Sequence, residues 1–324
     1  MNSRRHLLIL LGAAALAPLS SLAQQKGKVL RIGFLGPTTA SGTARWVEAL
    51  REGLRDLGYV EGKNIVIEFR WAEGKYERLP ELAAELVRLK VEVIVTHGTP
   101  GILAAKNATT IIPIVMALSG DPVATGLVAS LARPGGNVTG MTGINPEVAA
   151  KRLELLMDAF PRTRNVAVLF NPDSPGTSLR AMEAAAKSLK LELQQYDVRG
   201  PGDIDSAFAA MAKRRVDAVV IVDEPVLVAN SGVIANLAAK MRLRAVGGTD
   251  FAEAGGLLAY GPNRREMFRR AATFVDKILK SAKPGELPVE QATRFETVLN
   301  LKTAKMLGIQ FPQSVLVRAD RVIE

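Results

Sequence analysis

The chain reads as an α/β protein built from two doubly wound parallel-sheet lobes joined by three hinge crossings. Three observations predict this. Short apolar runs alternate with amphipathic stretches from residue 28 onward, and several are continuously apolar, as in Val219-Val220-Ile221-Val222. A parallel strand covered by helices on both faces needs that continuity. The series breaks at 133–143, where Pro134-Gly135-Gly136-Asn137 leads into Val138-Thr139-Gly140-Met141, and a fresh strand–helix series then begins. The length of 324 residues also corresponds to about two domains.

Before the first strand, residues 1–23 have the three parts of a secretory signal: Arg4 and Arg5, an apolar stretch from Leu7 to Leu16, and Ser21-Leu22-Ala23. Gly12, Pro18 and two serines interrupt it, and it is short for a membrane span. Ser3-Arg4-Arg5 resembles a twin-arginine start, so Sec and Tat export both stay open. No cysteine follows for lipid attachment, and the expected mature chain, from Gln24, is soluble, not membrane-embedded, and periplasmic. The signal's two arginines account for two of the ten net positive charges, leaving +8.

Strands of the first half are predicted at 29–36, 64–71, 91–96 and 112–118. Those of the second lie at 166–170, 191–198, 216–222 and 244–248. Between them, Leu79, Leu82, Ala83 and Leu86 share one helical face, as do Ala149, Leu153, Leu156, Met157 and Phe160. Asn145-Pro146-Glu147, Asp203 and Pro225 signal helix starts. Isolated extended pieces at 255–262 and 290–299 read as further crossings, with a helix at 264–281 returning to the first lobe. The expected lobes are 28–138 with 260–290, and 143–257 with 293–324. Hinges fall near 139–142, 258–260 and 290–293.

Composition removes whole classes of chemistry. Zero cysteines exclude disulfides, thiolate metal sites and cysteine nucleophiles, and only His6 and His97 remain for a histidine centre. No dinucleotide, phosphate-loop, zinc-protease or serine-hydrolase motif is present, and no cofactor or metal is implied. Asp223 and Glu224 would form a carboxylate pair, but adjacent strand residues point to opposite faces. His97 reads as a hydrogen-bonded loop residue or a ligand contact. The cluster Arg264, Arg265, Arg269 and Arg270 reads as a solvated helix face, and nucleic acid is not an expected partner.

What remains is binding at strand ends. In the first half these carry Thr38 and Thr39, then His97 and Thr99, then Ser119 and Asp121. Such N–H and hydroxyl groups suit a carboxylate. In the second half they carry Asn171, the pair Asp223 and Glu224, and Asp250, acceptors suited to an ammonium or hydroxyls. Trp71 and Tyr260 are candidate packing surfaces. N-capping accounts equally for Thr38, Ser41, Asp173 and Ser174.

Several runs then bring a family into view: Arg31-Ile32-Gly33-Phe34-Leu35, Phe69-Arg70-Trp71-Ala72-Glu73-Gly74-Lys75-Tyr76, Gly120-Asp121-Pro122-Val123, and Ser130-Leu131-Ala132-Arg133-Pro134-Gly135-Gly136-Asn137-Val138-Thr139-Gly140. Over essentially the whole mature length the chain resembles the ABC-transporter solute-binding family labelled tryptophan/tyrosine transport binding proteins. The resemblance implies a type I periplasmic binding protein, not an enzyme, whose two lobes close on a small ligand. It further implies delivery of that ligand, an aromatic or other amino acid, to an ABC permease driven by a separate ATPase. A sensor presenting its ligand to a membrane receptor is the alternative.

Overall fold

The computed structural model describes residues 29–143, 145–174 and 178–324; the segment read as an export signal, 1–23, lies outside them. The chain opens with β1 (Leu30–Gly36), α1 (Ala40–Asp56), β2 (Ile65–Trp71), α2 (Leu79–Arg88), β3 (Val93–His97), α3 (Gly98–Ala108), β4 (Ile114–Ser119) and β5 (Val138–Thr142). It continues through α4 (Asn145–Ala159), β6 (Asn165–Phe170), α5 (Ser178–Leu189), β7 (Glu192–Asp197), α6 (Ile204–Arg214) and β8 (Ala218–Ile221). Then follow α7 (Pro225–Ala229), α8 (Ser231–Lys240), β9 (Arg244–Gly247), α9 (Thr249–Glu253) and β10 (Leu258–Pro262). The chain closes with α10 (Arg264–Leu279), β11 (Glu290–Gln291), β12 (Phe295–Asn300), α11 (Leu301–Leu307), α12 (Gln313–Leu316) and β13 (Arg321–Ile323).

Among the described residues two sheets form, in the orders β11-β5-β4-β3-β1-β2 and β13-β12-β10-β9-β8-β6-β7. Every named strand pair is parallel except β10–β12. The inner strands β3, β5 and β8 are buried along their whole length, and β8 is apolar throughout. Helices cover both faces of each sheet, α1 and α10 against α2 and α3 in the first lobe. In the second, α4, α5, α11 and α12 oppose α6 to α9.

Local sequence sets the helix starts. Thr39 caps α1 by accepting from the Gly42 N–H at 3.1 Å, and Trp46, Val47, Leu50 and Leu54 form its buried stripe. Asn263 caps α10 in the same way, accepting from Glu266 at 3.1 Å. Met267, Phe268, Ala271, Phe274 and Val275 then bury α10 against the first sheet, far along the chain from the rest of that lobe. The chain passes between sheets three times: after Thr142, at Asn263, and across 292–294. The stretch 258–260 therefore lies within β10, and the turn into the first lobe comes at the Asn263 cap.

Candidate functional site

The strand ends of the two sheets face each other across a cavity of about 290 Å³. The first lobe supplies Trp46, His97, Thr99, Ser119 and Asp121; the second supplies Phe170, Asn171, Asp223, Glu224 and Val228, with Arg264 at the crossing. The lobes touch directly around it. The Trp46 indole N–H donates to Asp250 Oδ1 at 3.0 Å, and Arg45 donates to Glu253 at 2.6 Å. A Cβ placed on Gly98 would meet Pro225 Cγ at 2.4 Å, so only glycine admits this approach, and its φ of +69° favours glycine again.

Beneath the cavity lies a buried ionic chain. Arg152 of α4 donates to Asp223 Oδ2 at 2.7 Å and to the carbonyls of Ile221 and Tyr260 at 2.9 and 2.8 Å. Arg264 donates to Asp223 Oδ1 and, at 2.7 Å, to Asp250 Oδ2. The Arg152 and Arg264 side chains are 1% and 3% exposed, so two cations and two anions balance out of water. Burial pushes the Asp223 carboxyl up, but the two guanidiniums more than reverse this and hold it below the ordinary range. Arg264 was expected on a solvated face. Of its cluster only Arg265, Arg269 and Arg270 behave so, pairing with Glu52, Asp56 and Glu290. Arg264 is drawn in because two carboxylates converge on the first turn of α10.

Seven of the twelve candidate residues line the cavity: His97, Thr99, Ser119, Asp121, Asn171, Asp223 and Glu224. Five do not. Thr39 is spent as the α1 cap, and Thr38 is buried with its hydroxyl unpartnered among the described residues. Trp71 stacks on Phe69 at 5.8 Å and leans on Phe34, as part of the first lobe's core. Tyr260 stacks on Phe295 at 6.1 Å, and its backbone carbonyl serves Arg152. Asp250 lies behind Trp46, and both its oxygens are engaged. The ammonium acceptors expected in the second lobe, Asp223 and Asp250, are thus already paired with guanidiniums.

Among the described residues, Thr99 and Asp121 bring unspent polar groups to the cavity, and His97 brings a buried Nε2 with no hydrogen-bond partner. Thr99 is the second residue of α3, whose N-terminus has no side-chain cap, and its hydroxyl has no hydrogen bond among the described residues. Asp121 accepts from the Ala124 N–H at 2.9 Å through Oδ1, leaving Oδ2 free among the described residues. Ser119 is less available, since its hydroxyl donates to the Met141 carbonyl at 3.1 Å. His97 is 3% exposed and ringed by Phe34, Trp46 and Phe268. Burial, helped by the nearby Arg264 charge, lowers its imidazole to about 3, so it stays neutral.

The sequence reading missed Trp46, Arg152 and Arg264. Arg152 carried a signal: it sits at helical spacing from Val148, Leu155 and Leu156, inside an apolar stripe. Among the described residues there is no cluster of three metal-ligating side chains, and no helix long and apolar enough to cross a membrane.

Comparison with known proteins agrees with this architecture. A tyrosine-binding protein of Clostridioides difficile is 26% identical over 262 residues, spanning 80% of this chain and 75% of its own. Among solved structures, a conserved domain protein from Vibrio cholerae superposes with a TM-score of 0.85 at 26% identity, over 91% of this chain and 100% of the other. An ABC domain from Streptococcus pneumoniae, solved in complex with L-tryptophan, superposes at 0.83, also at 26% identity, over 91% and 99%. The family model of ABC transporter substrate binding proteins matches residues 34–323. The two parallel-sheet lobes have the type I periplasmic binding fold, and the proteins matched are solute-binding proteins, a family of binders rather than enzymes. The chain belongs to the ABC transporter substrate-binding protein family.

Proposed function

We propose that this chain is the exported, periplasmic binding component of an ABC importer, and that it captures one α-amino acid between its lobes for delivery to a permease and its ATPase. The observation that carries this is the pairing of β3 with β4 at the cavity mouth. Their ends bring the uncapped start of α3, with Thr99, beside Asp121 with its free oxygen. Neighbouring strands lie about 4.8 Å apart, a spacing that suits the two charged groups of one α-carbon. In this reading the carboxylate sits on the α3 N–H groups and the Thr99 hydroxyl, and the ammonium sits on Asp121. The side chain lies among Trp46, Leu118, Phe170, Leu179, Val222 and Val228, an apolar lining. The tyrosine-binding relative and the L-tryptophan complex support an aromatic side chain.

The buried chain from Arg152 to Asp250 is electrically complete without ligand, so its role is to hold the cavity floor. A ligand gripping the first lobe favours closure only through added contacts with the second, here Phe170, Asn171 and Val228. The test is uptake of labelled L-tryptophan and L-tyrosine by host cells with and without the gene. Uptake should fall on deletion and return with the intact chain, but not with Asp121→Ala. Unchanged uptake with a lost cellular response to the amino acid would replace the importer by a sensor.

A further inference from the structure

Asp223 and Glu224 are consecutive, yet their carboxylates sit in opposite settings. Asp223 holds two guanidiniums. Glu224 is 3% exposed and meets only neutral donors: the Tyr76 hydroxyl, the Asn171 amide at 3.4 Å and the Leu227 N–H at 3.2 Å. Tyr76 comes from the other lobe, in the 3₁₀ turn Tyr76–Arg78 after β2, and it packs against the cores of both lobes.

The charged and titratable groups around Glu224 do not neutralise it. Arg152 of α4 and Arg264 of α10 are spent on Asp223 and Asp250. His97 at the end of β3 is neutral, and Asp121 beyond β4 carries like charge. Arg199, whose carbonyl accepts from Asn171, turns its guanidinium to Asp173 and Asp197, each at 3.5 Å.

We propose that Tyr76 is a positioning residue for capture: closing the cleft seats its hydroxyl on Glu224, seals that carboxyl from water and takes up a proton there. The proposal rests on the reading that the lobes close on a ligand. In an open cleft Tyr76 is withdrawn and water reaches Glu224, so its carboxyl falls back toward the ordinary 4.5. Closed, burial pushes it up to about 7, only partly offset by its hydrogen bonds, of which that from Tyr76 is the largest. Between those values the closed form binds the proton and the open form does not. The protonated carboxyl then donates to the tyrosine oxygen, which accepts as readily as it donates.

The test is calorimetric titration with L-tryptophan and L-tyrosine in buffers of different ionisation heat. Neither amino acid changes protonation in this window. Uptake should be on the order of one proton per ligand near about pH 5.8, fading above pH ~8. Glu224→Gln should abolish it. Tyr76→Phe should keep it but move the window to higher pH, which a merely structural tyrosine would not do. Binding without uptake, or uptake unchanged in Glu224→Gln, overturns the latch and leaves the amino-acid reading standing.

If neither amino acid binds, that reading falls and the latch is read without ligand. The chain has no native cysteine, and a Cβ on Gly42 of α1 would lie 2.9 Å from that of Ala229 in α7. Gly42→Cys with Ala229→Cys then locks the cleft shut after a shift of about an ångström. A carbon-13 titration of the Glu224 carboxyl should give about 7 locked and 4.5 reduced. An ordinary value in both states overturns the proposal.

Discussion

Arg264, the first residue of the helix that carries the chain back into the first lobe, donates to Asp223 at a strand end of the second. With Arg152 on the other oxygen, Asp223 is shared by two buried cations. The hinge is therefore tied by charge as well as by backbone.

Truncating Asp223 to Ala leaves those guanidiniums with only Asp250 and carbonyls for partners. The expected loss is about 3–5 kcal/mol of stability, because an uncompensated buried charge remains. Urea unfolding followed by far-UV circular dichroism measures it. A loss below ~1 kcal/mol would show that water reaches the cluster.

Gly98 tests closure separately from stability. Gly98→Ala places a methyl against Pro225 across the cleft and should weaken ligand binding at least about tenfold, roughly 1.4 kcal/mol. Gly126 has the same φ of +69° with nothing within 4 Å of its added Cβ. Gly126→Ala thus carries the same backbone strain without the clash, and its affinity should stay unchanged.

His97 should set an acid limb of stability. Its folded value of about 3 lies below the ordinary 6.5, so the unfolded chain binds the proton first as pH falls. The contribution is complete above 6.5 and lost progressively toward 3, about 2 kcal/mol of it by pH 5. Glu224 runs oppositely: its raised value favours the closed fold as pH drops from 7 to 4.5, so the wild-type curve stays shallow. His97→Phe should gain about 2 kcal/mol on wild type between pH 7.5 and 5. Equal slopes in the two proteins would mean the imidazole is hydrated.

The sheets were legible because parallel strands buried on both faces are apolar throughout, as β8 is. The helix α10 was legible because its stripe is periodic. Individual contacts were less so. Arg264 and Arg265 are adjacent and chemically identical, and only the fold decides that one meets Asp223 and Asp250 while the other meets Glu52. Trp71 ends β2 and Tyr260 lies within β10, and their rings turn onto Phe69 and Phe295 instead of the cavity. Asp121 was placed among carboxylate-holding groups. Its free oxygen emerges only once the Ala124 N–H is seen to take the other.

The central claim is that one α-amino acid, held by both its charged groups, is what the cleft closes on. Thermal unfolding of refolded protein from Gln24 onward, with L-tryptophan, L-tyrosine, N-acetyl-tryptophan, tryptamine, simple carboxylates and sugars, tests it most directly. Ligand at about a thousand times its dissociation constant adds roughly 4 kcal/mol, a rise of several degrees. The account predicts that rise with an intact amino acid and none with N-acetyl-tryptophan or tryptamine, which each lack one charge. A rise with a sugar or simple carboxylate alone, or equal rises with the two blocked compounds, would contradict it.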